Sequence, residues 1–470
     1  MFGLAAHAAP PGFESIFPAG GSVGSRVEVK VAGAGLEKNS PQAWSSDPKI
    51  VVLAGDQPKK YFLSIAKDAL PGPYLVRLYT DDGATPPRII EVGKFEESVE
   101  TEPNDALADA KTAEPKMNVT INGVLEKAGD VDTHALRVQQ GKHITLDLHG
   151  YALGSPMDPA LRLLNERGVE LAAGHDTHNL DPRIDYTPAA DGTLFVQVFA
   201  FAHPPAADVA LKGSANHGYR LMVTDEAKKT APVNEPKTLT LPATISGSIS
   251  KAGEEDRYGF TAKKGDDWQI DVKASALDSP LDATLRIEDA DGKSLQQADD
   301  GAKDHVDPAL RWKAPKDGEF KLVVADRFQH GSADHWYELT VKPFTPKITA
   351  TLDTHAYRVE AGKSVEVKLN VKTDGKFTGK IQATAVKLPA GITAAAVEVP
   401  AKGGDVKLTL KAAADAAVSQ APFAVEIVTS APDAVQTVVA SYAVPFVEPR
   451  GDLLIMSDTQ PWLTVPAKKP

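Results

Sequence analysis

The feature that most limits what this chain can fold into is an internal repeat. The stretch from Gly123 to Val223 is written again, in altered letters, from Gly247 to Val341. Lys127-Ala128-Gly129 ahead of Asp132 answers to Lys251-Ala252-Gly253 ahead of Asp256, an offset of 124 residues. The same offset carries Ala152-Leu153, Ser155-Pro156 and Asp158 onto Ala276-Leu277, Ser279-Pro280 and Asp282, and Gly168 onto Gly292. Further on it drifts: Asp181-Pro182 pairs with Asp307-Pro308, and Tyr219 with Tyr337. Length therefore varies in the connections while the framework stays, so each copy is expected to close its own core.

Within each copy apolar and polar residues alternate with a period of two, which marks strands with one buried face. Ile144, Leu146 and Leu148 point one way and Thr145, Asp147 and His149 the other; Trp268, Ile270 and Val272 repeat the pattern. The runs Asn165 to Gly168 and Asp289 to Gly292 break it where a hairpin needs a residue tolerant of positive φ. Later strands follow at Leu194, Val196 and Val198, at Phe320, Leu322 and Val324, and at the Tyr219 and Tyr337 segments. Many short strands punctuated by Gly, Pro and Asp predict an antiparallel sandwich.

Glu102-Pro103-Asn104-Asp105, followed by Gly129-Asp130-Val131-Asp132 and the Ser155-Pro156-Met157-Asp158 turn, resembles the bacterial pre-peptidase C-terminal domain. The resemblance covers 95–226, and the second copy, 232–343, resembles the same family with a departure. Its linker reads Asn234-Glu235-Pro236 and its acidic turn Glu254-Glu255-Asp256. The resemblance implies a jelly-roll-like β-sandwich of the kind appended to secreted peptidases and other exported proteins.

Outside the repeat, Val27, Val29 and Val31 alternate with charged residues, and Tyr74 to Tyr79 reads as a later strand. Residues 11–94 resemble an immunoglobulin-like module of the IPT/TIG kind. After the linker at Lys342-Pro343-Phe344-Thr345-Pro346, alternation at Val365, Val367, Leu369 and Val371 predicts another immunoglobulin-like sandwich over 345–447. A tail of 448–470 carries one apolar run, Trp462 to Val465, which packs back or stays loose. The expected fold is thus all-β, four tandem β-sandwich domains: Ig-like, two jelly-roll-like, and Ig-like.

Composition narrows the function. The chain of 470 residues has 51 Lys and Arg against 63 Asp and Glu, a formal charge of −12, which opposes nucleic acid and anionic lipid as partners. It has no cysteine, hence no disulfide framework, thiolate metal site or cysteine nucleophile. Ala6-His7-Ala8 within residues 1–10 is expected to be the remnant of a secretory signal or a disordered end. No apolar run approaches the length of a membrane span.

The residues best suited to chemistry point to calcium, a hard cation that takes six to eight oxygen ligands. Glu100, Glu102, Asn104 and Asp105 place four oxygen-bearing side chains within six residues, and Asp130 and Asp132 add more from the next turn. Some collagenase-borne members of the resembled family join this linker to this turn around calcium, which implies the same six positions here. The competing reading is structural: Asn104 and Asp105 cap the segment Ala106 to Ala110, and Asp132 closes a turn.

Other candidates are weaker. His175, His178, His203, His217, His305, His330 and His335 fall in loops, with no helical metal motif among them. Gly20 to Gly24 fits G-x-S-x-G, but a strand follows where a nucleophile elbow needs a helix. The pairs Asp81-Asp82 and Asp299-Asp300 read as solvated turns rather than glycosidase acids, and Asn118-Val119-Thr120 as a chance sequon. Trp268 and Trp312 are expected in cores, whereas Tyr151, Phe195, Phe199 and Phe201 are freer to meet a ligand. The reading is a secreted, periplasmic or cell-surface monomer without catalytic residues. Its role is binding, adhesion or spacing, and its partner an extracellular protein or polysaccharide. The alternatives are an accessory component of a secreted peptidase or other hydrolase system, and an unrecognised hydrolase.

Overall fold

In the computed structural model, residues 11–36, 41–110, 114, 116–204, 207, 209–226, 236–277, 279–301, 306–377, 379–430, 436–444 and 455–467 are described. The Ala6-His7-Ala8 triplet, Asn234-Glu235 and His305 lie outside them. The chain is a multidomain β-sandwich protein whose strands form mostly antiparallel sheets packed in pairs. Among the described residues no helix is long and apolar enough to cross a membrane. The chain divides into two compact units, 1–226 with 348–470, and 227–347.

In the first unit, the sheet Ser15–Phe17, Arg26–Ala32, Lys60–Ile65, Ile50–Ala54 faces the sheet Gly20–Ser22, Arg88–Gly93, Gly72–Thr80, Gln42–Ser45. Val29, Tyr61 and Leu63 from one layer and Val76, Leu78 and Ile90 from the other share a core. The alternation of Arg26–Ala32 produces this, since each valine turns inward while Glu28 and Lys30 face solvent. Ser22 of the G-x-S-x-G run ends one strand and a strand, Arg26–Ala32, follows.

The next sheet runs Glu96–Val99, Val119–Val124, Gly218–Thr224, Ile144–His149, Arg183–Tyr186. It packs on Asp132–Val138, Gly192–Ala202, Met157–Leu164, Glu170–Gly174 through Leu146, Leu148, Leu161, Val196 and Leu221. Asp181 accepts the Gly150 and Tyr151 N–H groups at 2.9 and 2.7 Å on one oxygen and Ala152 at 2.7 Å on the other, pinning the short 3-10 turn Tyr151–Leu153.

The second unit repeats this design in its own frame. Ala243–Ser248, Trp336–Pro343, Asp267–Lys273, Ala309–Lys313 packs on Glu255–Ala262, Gly318–Asp326, Ala283–Asp289, Ser294–Ala298. Asp307 caps the turn Ser275–Leu277 as Asp181 does in the first copy, and a bulge at Ile287/Glu288 matches one at Leu163/Leu164. The repeat in sequence is thus a repeat in register.

The last sandwich sets Lys347–Leu352, Ser364–Asp374, Gly403–Ala412 and Ile392–Ala394 against Val397–Val399, Ile381–Val386, Ala424–Thr429 and Thr437–Val439. Of the two readings of the tail, packing back is the one found. Trp462–Val465 pairs with Ala356–Arg358 and Ser419–Pro422, and Leu463 and Val465 are fully buried in the same core, so these strands belong with the sandwich before them. The first unit is also not a simple string, because Arg77 of the first sandwich is buried against the last. Its guanidinium donates to the Tyr442 hydroxyl, lies 3.7 Å from Asp458, and sits 5.4 and 5.6 Å from the rings of Trp462 and Trp44.

Candidate metal centre

The site is built where the segment after Glu96–Val99 crosses the ends of two sheets. Gly123 on Val119–Val124 pairs with Tyr219 on Gly218–Thr224. Lacking a side chain, Gly123 lets the Tyr219 ring lie across it; a Cβ there would stand 2.2 Å from the ring carbon Cζ. The Tyr219 hydroxyl is thereby held 2.8 Å from Asp132 Oδ2, 2.9 Å from Glu100 Oε2 and 2.9 Å from His134 Nε2. Glu100 is oriented by the Val124 N–H on Oε1 and the Asn104 side-chain amide, which donates to Oε2 at 3.1 Å. The segment is tied down by Thr133, whose N–H donates to the Asn104 carbonyl at 3.0 Å and whose hydroxyl donates to that of Asp105 at 3.1 Å.

Among the described residues, one set of three or more His, Asp and Glu side chains converges: oxygens of Glu100, Glu102 and Asp132 lie within 4.8 Å of one another. Two oxygens on opposite sides of a calcium ion at about 2.4 Å stand about 4.8 Å apart, so the spacing suits that ion. Three side-chain oxygens here are buried without a hydrogen-bond donor: Glu102 Oε1, Asn104 Oδ1 and Asp132 Oδ1. Buried acceptors are ordinarily satisfied, and each orphan costs about 1–3 kcal/mol. The residues present therefore fit a hard divalent cation.

Electrostatics agree with the geometry. Burial first, then the Glu100 charge, pushes Asp132 up to about 10. Burial raises Glu100 and Glu102 as well, against hydrogen bonds that favour their ionised forms, and it drives His134 down to about 4. Three carboxyls in one place resist ionisation because each would add a buried, uncompensated negative charge, and a divalent ion would supply the missing compensation.

Of the six residues expected as ligands, Glu100, Glu102 and Asp132 are brought together and Asn104 is bonded to the first of them. Asp130 is buried behind them, with Oδ2 accepting the Glu126 N–H at 2.5 Å and Oδ1 3.1 Å from the Lys127 ammonium. Asp105 is half-exposed and faces the same lysine at 3.6 Å. The capping alternative does not describe the Asn104 amide, which turns to Glu100 and not to the helix Leu107–Ala110. Asp132 opens a strand and closes no turn. Sequence reasoning missed Tyr219 and His134 as site residues; the signal was Tyr219, which reappears as Tyr337 at the same place in the repeat.

The second copy keeps the frame and changes the contents. A Cβ at Gly247 would stand 2.4 Å from Tyr337 Cζ, and the Tyr337 hydroxyl donates to Asp256 at 2.6 Å. Tyr258 takes the place of His134, its hydroxyl 2.6 Å from that of Tyr337. Glu254, in the place of Asp130, accepts from Ser250 Oγ at 2.8 Å and the Lys251 N–H at 2.9 Å.

The other candidates are dispersed. His217 and His335 are paired with Ser214 and Ser332 at 2.7 and 2.8 Å, and His203 packs edge-on to Tyr151. Trp312 is core, as expected. Tyr151 and Phe195 are not free for a ligand. The first closes a buried turn and the second lies in a cluster with Leu164 and Ala110 of the helix Leu107–Ala110, leaving Phe199 and Phe201 half-buried.

No family model matches the chain. A protein of Deinococcus radiodurans described as a probable subtilase-type serine protease is 33% identical over 98 residues, 21% of this chain and 14% of that protein. The match thus spans about one-seventh of the relative's length. Among solved structures, the pre-peptidase C-terminal domain of a Bacillus anthracis collagenase aligns over its whole length with 24% of this chain, at 20% identity and a TM-score of 0.18. A Bacteroides ovatus protein of a mixed-linkage glucan utilization locus, solved with a heptasaccharide, aligns with 71% of this chain over 75% of its own, at 10% identity and a TM-score of 0.17.

Proposed function

We propose that this chain is a non-catalytic binding, adhesion or spacer module of an exported protein. It carries pre-peptidase C-terminal-type sandwiches at 95–226 and 232–343, flanked by immunoglobulin-like ones, and the first is stabilised by calcium. Glu100, Glu102 and Asp132 would hold the ion, with Asn104 Oδ1 a further donor. The observation that carries the reading is the set of buried, unpartnered oxygens on Glu102, Asn104 and Asp132, gathered at one segment. The ion supplies charge and coordination, and the chain's own residues do the positioning. Tyr219 spaces the Glu100 and Asp132 carboxylates, and Thr133 anchors the linker.

With a dissociation constant of about 0.1 mM and about 1 mM free calcium, linkage contributes roughly 1.4 kcal/mol. That is enough to order the linker and too little to hold a sandwich together. The test is thermal unfolding with 1 mM calcium against chelator. The wild-type midpoint is expected to rise by a few degrees, and Glu102→Gln to abolish the rise. Equal midpoints with and without calcium in the wild type overturn the reading.

A role as accessory part of a secreted peptidase system is supported by the 98-residue similarity to a subtilase-type protease. Binding to an immobilised protein or polysaccharide, assayed with and without calcium, tests the partner class. No binding to either class of surface removes the adhesion role and leaves spacing.

A further inference from the structure

Tyr219 belongs to the metal centre, and Arg220, the next residue on the same strand, points to the opposite face of the sheet. Arg220 is buried, and its two terminal nitrogens grip Glu97: Nη1 donates to Oε2 at 2.8 Å and Nη2 to Oε1 at 2.7 Å. Nη1 also donates to Asn122 at 3.1 Å. Its Nε lies 3.4 Å from Glu91 Oε2, which belongs to the first sandwich and also meets His149 Nδ1 of the second at 2.9 Å. The seat is cut to shape: a Cβ at Gly20 would stand 2.8 Å from Arg220 Nη1, and one at Gly93 3.2 Å from Nη2. Arg220 is therefore the pin of the joint between residues 11–94 and 95–226.

Glu97 lies on Glu96–Val99, an edge strand that runs parallel to Val119–Val124 and, among the described residues, is paired on that side alone. One end of this strap is fastened to the joint by Glu97. Just past its other end, Glu100 accepts the Val124 N–H and reaches Tyr219 and Asn104 in the metal centre. Glu97 and Glu100 are three residues apart, so neither can move far without the other.

We infer that cation occupancy of the Glu100/Glu102/Asp132 centre and closure of the joint between the first two sandwiches are coupled through the Glu96–Val99 strap. The inference rests on the calcium reading above. Without a cation, the buried oxygens of Glu102, Asn104 and Asp132 have no partner, and the element that yields most easily to let water reach them is the edge strand, held by one neighbour among the described residues. Its displacement draws Glu97 away from Arg220 and loosens the joint. Coupling between sites is reciprocal, so loosening the joint must weaken the cation by the same factor.

The chain has no cysteine, so Gln57→Cys and Arg167→Cys, both at exposed positions, give unique spin-label sites in the full-length protein. Pulsed EPR reads the distance distribution between the sandwiches, and calorimetry reads calcium binding. Calcium is expected to narrow the wild-type distribution. Glu91→Gln, which touches the joint and not the metal centre, is expected to broaden it and to weaken calcium binding at least about fivefold. Calcium binding with an unchanged wild-type distribution overturns the coupling and leaves the calcium reading standing. Wild-type calcium affinity in Glu91→Gln does the same. An absence of calcium heat in the wild type overturns both.

Discussion

Gly123 and Tyr219 face each other across neighbouring strands at a distance that leaves no space for a methyl group. The same relationship holds between Gly247 and Tyr337. Gly123→Ala should therefore push the ring off the strand and pull the hydroxyl from Asp132 and Glu100. The expected cost is about 2–4 kcal/mol in denaturant unfolding, together with loss of the calcium-dependent rise in melting temperature. Gly247→Ala should cost a similar amount and leave that rise intact.

Residues 236–346, produced alone, should unfold cooperatively with a midpoint indifferent to calcium. Their core is continuous, and the acceptor oxygens of Asp256 Oδ2 and Glu254 Oε2 have protein donors. Scanning calorimetry with calcium and with chelator checks this; a calcium-dependent shift would place a second cation in this unit.

The contact of His149 with Glu91 should make stability fall at alkaline pH. Burial opposes the charged ring, but Glu91 as hydrogen-bond partner and the charges of Glu91, Asp147 and Asp181 outweigh it and raise the histidine from 6.5 to about 9. Arg220 also faces Glu91, its Nε 3.4 Å from Oε2. A raised pKa means the folded form holds the proton longer than the unfolded one. The contribution is full below about 6.5 and lost as pH climbs through about 9. The ring is 31% exposed, so about 1–2 kcal/mol is expected after solvent screening. Melting curves from pH 6.5 to 9.5 should slope downward in the wild type and flatten in His149→Gln.

Arg77→Ala should cost about 3–5 kcal/mol in denaturant unfolding of the first unit, because it leaves the Asp458 carboxylate and the Tyr442 hydroxyl buried without their cation. Trp462→Ala, which empties a fully buried site beside Tyr79 and Trp44, should cost a comparable amount. A surface substitution such as Lys407→Ala should be within about 0.5 kcal/mol of wild type and serves as the reference.

The sheets were legible because alternation is a local property: Val29 and Val31, or Ile144 and Leu146, announce their buried face within a few residues. The gathering of Glu100, Glu102 and Asp132 was partly legible, since the first two lie two residues apart and Asp132 opens the strand after the acidic turn. Tyr219 was hidden by distance in sequence, and its role follows from a glycine nearly a hundred residues earlier. Phe195 was misjudged because its strand position faces outward, and a four-residue helix too short to carry an amphipathic pattern covers it. The meeting of Arg77 with Tyr442 and Trp462 leaves no periodic trace at all, being set by packing between elements at opposite ends of the chain.

That last meeting bears on how the molecule is made. During synthesis Trp44 and Arg77 are translated long before the strands holding Tyr442, Asp458 and Trp462. The face they share stays uncovered until those later strands are made. Meanwhile the 236–343 sandwich has every strand it needs well before that point and can finish independently. A nascent chain of this kind carries a bare aromatic and cationic surface while the residues between Arg77 and Tyr442 are made, which is the sort of surface that holding chaperones engage.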